Sequence, residues 1–264
     1  MNKFIRAAIG ETASLILILF LLSCGSENTG FKNWKPDDFG AFTRTDTTLP
    51  EINLVFTGHD FADGGLFIND VLAKHGIKAS FFLTGDFYRN PDFEEIIRTL
   101  NESGHYLGAH SDKHLLYCSW EKRDSLLVTK DEFMSDLKNN YQELKRFGIT
   151  EEQARFFMPP YEWYNKEIAG WTDEAGFTLV NFSPGTSSNQ DWTHPGLGRS
   201  YIPSDTIFNR ILTFESKYKM NGFILLVHIG TDPARKDKFY YRLDELIGTL
   251  RSRGYSFRRI DDRS

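Results

Sequence analysis

One short pattern recurs along this chain and restricts its fold: a polar stretch ends in glycine, and a short apolar run follows at once. Glycine just past a helix takes the left-handed backbone conformation that ends it. Short runs that are apolar throughout are typical of parallel strands buried on both faces. With residues 52–56 in front, the pattern predicts about seven parallel strands alternating with helices. The six glycines are Gly76, Gly104, Gly148, Gly176, Gly222 and Gly254.

This alternation indicates an α/β fold, and an α/β barrel is its natural closure. A doubly wound open sheet is the alternative, because one sequence does not fix strand order. In such barrels the chemistry collects where strands end and the following loops begin. Candidate acids, bases and metal ligands in this chain all follow predicted strands, at residues 59–60, 110–114, 158–163, 191–192 and 228.

Two histidines, His110 and His114, stand four residues apart just after the third predicted strand. Imidazoles at this spacing project from one face of a helical turn and can converge on one divalent cation. The alternative is a pair of surface histidines with no shared ligand.

The N-terminus divides the chain into three parts. Residues 1–23 have basic positions followed by an apolar run too short to span a bilayer, which indicates an export signal. The residues Leu21-Leu22-Ser23-Cys24 resemble the lipobox of bacterial lipoproteins, which implies a lipid on Cys24 and a location in the cell envelope. A secreted protein with a chance cysteine is the alternative. Residues 24–49 are polar and predict a tether, and residues 50–264 predict one folded domain.

Composition excludes one class of function and leaves another open. The net charge is −5 and no Lys/Arg cluster is present, so nucleic-acid binding is set aside. If Cys24 carries lipid, Cys118 is the other cysteine and has no partner for an intrachain disulfide. An aromatic content of 15% suits a large core or a cleft that stacks sugars.

The motifs at the strand ends together resemble the polysaccharide deacetylase family, the NodB-homology domain of carbohydrate esterase family 4. The resemblance implies a distorted barrel, one divalent metal held by an Asp and two His, and hydrolysis of N- or O-acetyl groups on sugars. The matches are His110-Ser111-x-x-His114 to H-[ST]-x-x-H, Pro159-Pro160-Tyr161 to R-x-P-Y, Asp191-Trp192 to the end of D-x-x-D-W, and Leu226-Val227-His228 to L-x-H.

Carried over by position, the resemblance assigns roles to individual residues. His110 and His114 would bind the metal and His228 would be the general acid. The Tyr161 N–H would stabilise the oxyanion, and Leu226 would line the acetyl-methyl pocket. The ligand types favour Zn, although Co, Ni or Fe would also suit them. An acetylated glycan is the expected partner, and the residues expected to line its cleft are Pro160, Trp163 and Trp192.

The chain departs from the family at its first motif, T-F-D-D, whose Asp residues are the base and a metal ligand. Here Phe56 is followed by Thr57-Gly58-His59-Asp60. If Thr57-Gly58 is an insertion, His59 takes the base position and Asp60 the metal position. If the later Asp63 aligns instead, it would bind the metal and the base would be absent. Glu162 is a second candidate for the base.

Two further departures concern the partners of these groups. Met158 replaces the Arg of R-x-P-Y, which removes a charge that would lack its carboxylate partner if the base has changed. Ser188 replaces the first Asp of D-x-x-D-W, so the partner of His228 would be Asp191 or Asp232. These losses leave two hypotheses: a metal-dependent deacetylase with a rebuilt base, and an inactive barrel that binds glycan at the cell surface.

Overall fold

The computed structural model describes Phe31 and residues 33–262. The predicted signal over residues 1–23, the predicted lipidation of Cys24 and the start of the predicted tether lie outside these residues. Across the described part of the chain, no helix is long and apolar enough to cross a membrane.

The described chain contains nine strands and seven α-helices. The strands are β1 (Lys35–Pro36), β2 (Phe42–Arg44), β3 (Glu51–Gly58), β4 (Ser80–Leu83), β5 (Tyr106–Ala109), β6 (Phe156–Phe157), β7 (Thr178–Leu179), β8 (Phe223–His228) and β9 (Ser256–Arg258). The helices are α1 (Gly65–Lys74), α2 (Gly85–Arg89), α3 (Glu94–Glu102), α4 (Lys130–Lys145), α5 (Lys166–Glu174), α6 (Ser204–Tyr218) and α7 (Leu243–Ser252).

The sheet follows the order β1-β2-β8-β3-β4-β5-β6-β7, and β9 pairs with β3. All seven strands from β3 to β9 pair in parallel, whereas β1 and β2 are antiparallel additions. The sheet curls until a bridge between Phe42 and Val180 joins its two ends. The prediction of a distorted barrel with about seven parallel strands is therefore confirmed, and the open-sheet alternative is excluded.

The glycine pattern has the predicted cause. Gly76, Gly104, Gly148, Gly176, Gly222 and Gly254 all have positive φ, between 61° and 95°. Central strand β3 is buried from Ile52 to Gly58, and the Phe56 ring stacks on Phe81 of β4 at 4.8 Å. Because both faces of these strands are covered, their sequences are apolar throughout rather than alternating.

The predicted tether over residues 24–49 is wrong for the part that the structure describes. Strands β1 and β2 extend the sheet beside β8. Trp34 stacks on Phe156 at 5.7 Å, and Ala41 is fully buried. The polar composition of this segment hid its aromatic residues, whose burial against the barrel is what orders it.

Candidate active site

A cleft of about 790 Å³ opens at the end of the barrel where the parallel strands finish. Strand ends and the loops after them supply its walls, as expected for a barrel. The titratable groups that line it are His59, Asp60, Lys113, His114, His110, Glu162, His194, His228, Asp232 and Tyr161. The structure thus brings together every histidine that the sequence analysis selected.

The floor of the cleft is formed where β3 lies beside β8. Thr57 pairs in register with His228, and Thr57 is 1% exposed. Its hydroxyl has no hydrogen-bond partner among the described residues, although it lines the cleft. A buried polar atom without a partner calls for a ligand or water at that point. Gly58 faces the core instead, where an added Cβ would lie 2.6 Å from Ile229 Cγ2.

His110 and His114 meet as predicted, but the helical turn expected to carry them is wrong. Residues 110–114 form a loop, in which Ser111 and His114 adopt left-handed φ values of 71° and 55°. The two rings are 5.2 Å apart. The Nδ1 atom of His110 lies 2.9 Å from the Met158 carbonyl oxygen, which fixes the tautomer and leaves Nε2 free to bind a ligand.

Helix α4 holds this loop in place through two buried polar residues. The Asn140 side-chain oxygen accepts a hydrogen bond from the His110 N–H at 2.8 Å, and its amide donates to the Leu83 carbonyl at 3.3 Å. One turn earlier, the Asp136 carboxylate accepts the backbone N–H groups of Asp112 and Lys113, both at 3.0 Å. Polar residues on the buried face of an amphipathic helix could have revealed this role, and the sequence analysis missed it.

We expect Asn140→Ala to lower the free energy of unfolding by about 2 kcal/mol, because it leaves the buried His110 N–H unsatisfied. Urea unfolding followed by circular dichroism measures the change. Asn139→Ala, on the neighbouring exposed position of α4, is the matched control and should alter stability little. Equal stability of the two variants would contradict the assigned contact.

His59 lies against this pair, whereas Asp60 stands at the rim. The His59 ring stacks on His114 at 4.7 Å with 11° between the planes. Its Nδ1 is 3.1 Å from the Thr84 hydroxyl, and its Nε2 is 3.4 Å from an Asp60 oxygen. The Asp60 side chain is 71% exposed. Asp63, the other alignment, accepts hydrogen bonds from the Tyr240 hydroxyl and the Thr231 N–H, so it has a structural role.

The donor chemistry of the histidine pair suits a divalent cation. Burial lowers the pKa of His110 to about 3, and the hydrogen bond to Met158 only partly opposes this. Burial and the neighbouring His110 lower the pKa of His114 to about 2. Both rings are therefore neutral at pH 7, as metal ligands must be. Among the described residues, however, no three His, Cys, Asp or Glu side chains converge in metal-binding geometry. In the described part of the chain, the pair therefore has no third side chain in place to complete a metal site.

His228, at the end of β8, is held by Asp191. Its Nδ1 is 2.6 Å from one carboxylate oxygen, and its backbone N–H donates to the other at 3.0 Å. Burial pulls the pKa of His228 down, but the Asp191 charge and hydrogen bond and the Glu162 charge outweigh it, so the pKa lies above its usual value. With Nδ1 engaged, Nε2 is left to face the cleft. Of the two predicted partners of His228, the structure selects Asp191 over Asp232.

Tyr161 and Glu162 form a strained turn opposite His228. Both are left-handed, with φ values of 59° and 53°, and consecutive non-glycine residues in this conformation are costly unless the site needs them. The Tyr161 ring lies 4.3 Å from the His114 ring. Loss of hydration raises the pKa of Glu162 to about 7, a rise that the His228 charge opposes and the Asp191 charge reinforces.

The remaining residues predicted to bind substrate have different positions. Trp192 lines the cleft and is 48% exposed. Trp163 lies behind the wall, where its indole N–H donates to the Ser119 carbonyl at 3.2 Å and its ring supports Trp120 at 5.3 Å. Trp120, which the sequence analysis missed, is the exposed ring of this side, at 56%. Pro160 and Leu226 are buried and do not line the open cleft.

Comparison with known proteins agrees with this geometry. Residues 67–180 match the family model described as polysaccharide deacetylase. These residues, somewhat less than half of the chain, are similar to the polysaccharide deacetylase family. The matched span contains His110, His114 and Tyr161 but begins after His59 and Asp60, the motif at which the chain departs from the family pattern.

Two curated relatives show how far the similarity extends along the chain. A 30.6 kDa protein from Geobacillus stearothermophilus is 27% identical over 237 residues, which are 88% of this chain and 78% of that protein. The peptidoglycan-N-acetylmuramic acid deacetylase PdaA of Bacillus subtilis is 28% identical over 196 residues, which are 73% of this chain and 63% of PdaA. The aligned part of this chain therefore corresponds to somewhat less than two thirds of PdaA.

The barrel also matches solved structures of the family. The wild-type BA3943 protein of Bacillus anthracis, described as a CE4 family pseudoenzyme, superposes with a TM-score of 0.66. It is 18% identical, and the alignment covers 84% of this chain and 67% of that one. At this identity the match supports the deacetylase fold alone.

Proposed function

We propose that this protein is a metal-dependent hydrolase that removes N- or O-acetyl groups from a glycan of the bacterial cell envelope. The observation that carries the proposal is the His228–Asp191 pair at the floor of the cleft, at 2.6 Å, facing two neutral histidines. A buried carboxylate that favours the protonated form of an imidazole, beside a pair of neutral histidines, is the arrangement that acid-assisted acetyl hydrolysis requires.

His228 is the proposed general acid. Its raised pKa favours the protonated ring, from which Nε2 can give a proton to the sugar nitrogen or oxygen as the acetyl bond breaks. The Tyr161 N–H is the proposed donor to the oxyanion, because its strained turn places the backbone at the cleft beside His114. The free Thr57 hydroxyl is a further donor at the same floor.

The proposed metal ligands are His110, His114 and Asp60. Asp60 is exposed, and its side chain has room to rotate toward the pair. When bound, a divalent cation such as Zn, or Co, Ni or Fe in its place, lowers the pKa of a water molecule and polarises the acetyl carbonyl.

Glu162 is better placed than His59 to act as the base, which reverses the preference drawn from sequence. The Nδ1 atom of His59 is already engaged by the Thr84 hydroxyl, and the ring is stacked on His114, a proposed metal ligand. The Glu162 carboxylate has no hydrogen-bond partner among those found in the described chain, and a pKa of about 7 suits proton transfer at neutral pH. Glu162 would take the proton of the attacking water, and acetate and the deacetylated sugar would leave after His228 donates.

We expect Glu162→Gln to lower kcat/KM for acetate release by about 100-fold and to remove the acidic limb of the pH profile. A base must be deprotonated, so wild-type activity should rise with pH through about 7. Glu162→Asp should keep the acidic limb of the pH profile at a reduced rate. Glu167→Gln, at an exposed position of α5, is the matched control. An unchanged acidic limb in Glu162→Gln, with its loss in His59→Ala, would return the base role to His59.

The substrate and location follow from the relatives and the N-terminus. PdaA acts on peptidoglycan N-acetylmuramic acid by its name, and we extend to this chain the broader class of acetylated envelope glycans. A lipid on Cys24 would anchor the protein to a membrane, facing the periplasm or the cell surface, within reach of that polymer.

A catalytically inactive, glycan-binding barrel is the second candidate. Met158, fully buried at the position of the family's Arg, and His59 at that of the base are the observations that favour it. This alternative predicts that wild-type protein binds acetylated glycan without releasing acetate, and that binding persists in His228→Ala.

A further inference from the structure

A second basin adjoins the catalytic cleft. It encloses about 640 Å³ and shares Asp60, Phe61 and Thr231 with that cleft. Because the same residues line both, the two spaces adjoin. The second space, here called the far basin, lies between the loop after β3 and the loop after β8.

An exposed aromatic ring stands at the far basin. Tyr241 is 57% exposed, and its ring is braced edge-to-face against Phe67 at 5.0 Å and Tyr240 at 4.7 Å. Bracing fixes the ring without covering it. A rigid ring left open to water beside a groove is an available stacking surface, with a small entropic cost on binding.

The wall of the far basin is rigid and polar. The Asp63 carboxylate receives hydrogen bonds from the Tyr240 hydroxyl at 2.7 Å and the Thr231 N–H at 2.9 Å, and it lies 3.0 Å from Lys238 Nζ. The exposed side chains of Asp92 and Lys236 line the rim. An aromatic ring with a carboxylate and an ammonium group nearby matches a sugar ring, which has an apolar C–H face and a belt of hydroxyls.

We propose that the far basin is a distal sugar subsite, which binds another residue of the glycan chain whose acetylated sugar lies at His228, by stacking on Tyr241. This inference rests on the proposed function and adds to it that Tyr241 sets a preference for longer glycan chains. Distal contacts of this kind supply binding energy that aligns the reacting bond.

The test compares kcat/KM for acetate release from an N-acetylated disaccharide and pentasaccharide. We expect the wild type to favour the longer substrate. Tyr241→Ala should lower kcat/KM about tenfold for the pentasaccharide alone, which is the effect expected from the loss of one stacking contact. Tyr241→Phe should retain the preference. The control is Tyr218→Ala, which removes a ring that is 60% exposed on α6 and outside both clefts.

If Tyr241→Ala lowers kcat/KM equally for both substrates, or for neither, the proposed subsite is wrong. Thermal melting of Tyr241→Ala checks that the variant folds. Failure of the proposed function has a different signature, namely no acetate from any substrate. In that case calorimetric titration of the same sugars decides: the subsite predicts tighter binding of the pentasaccharide, weakened in Tyr241→Ala. Binding that is independent of chain length, or unaffected by the substitution, would contradict it.

Discussion

Replacing His228 by alanine should lower kcat for acetate release by about 10²–10⁴-fold, the range for a lost general acid, while bound metal is retained. The ring is held by Asp191 at 2.6 Å and its pKa lies above the ordinary value, which favours the protonated form that an acid requires. Without it, the leaving amine or alkoxide must depart without a proton. Steady-state acetate release and elemental analysis of the same sample measure both quantities.

The partner of His228 offers a finer test of the same claim. An acid must be protonated, so wild-type activity should fall as pH rises through the raised pKa of His228. Asp191→Asn removes the charge that raises it and should move this basic limb to lower pH. His75→Ala, which removes a histidine paired with Asp244 away from the cleft, is the control. Full activity in His228→Ala would contradict its assignment as the acid.

Replacing His110 by alanine should abolish metal binding, with affinity reduced at least about 100-fold. The ring is neutral and fixed by Met158, so it is a ready ligand, and a single remaining imidazole holds a divalent ion weakly. Elemental analysis after dialysis against a metal-buffered solution should find about one equivalent in the wild type and none in the variant.

The metal content of two further variants tests which carboxylate is the third metal ligand. Asp60→Ala should lose metal, whereas Asp63→Ala should keep it and lose stability, because Asp63 joins Tyr240 and Lys238. His194→Ala, a cleft histidine outside the proposed ligand set, should bind metal normally. Metal retained in both His110→Ala and Asp60→Ala would contradict the proposed site.

The barrel was predictable because its cause is local. Each parallel strand after β3 follows a glycine with a left-handed backbone, and burial on both faces makes the strand apolar throughout. The hairpin of β1 and β2 was not predictable in this way. Its two short strands have no apolar periodicity, and they are ordered by the packing of Trp34 on Phe156, a contact between residues 122 positions apart in sequence.

The site was predictable at its motifs but not in its geometry. Spacing predicted that His110 and His114 meet, but it also predicted a helical turn. The left-handed backbone conformations fall on Ser111 and His114, and since neither is a glycine, the sequence gives no sign of them. The support from Asn140 comes from a helix that begins 20 residues later. The pKa of Glu162 depends on lost hydration near His228, which arises only when distant loops meet.

The most direct test of the account is acetate release by the purified wild-type protein from an N-acetylated envelope glycan, before and after chelation. Acetate release should end on chelation, return with added Zn or Co, and fall by about 10²–10⁴-fold in His228→Ala. No acetate from the metal-loaded wild type on N- or O-acetylated glycans, together with glycan binding, would contradict it and favour the inactive barrel.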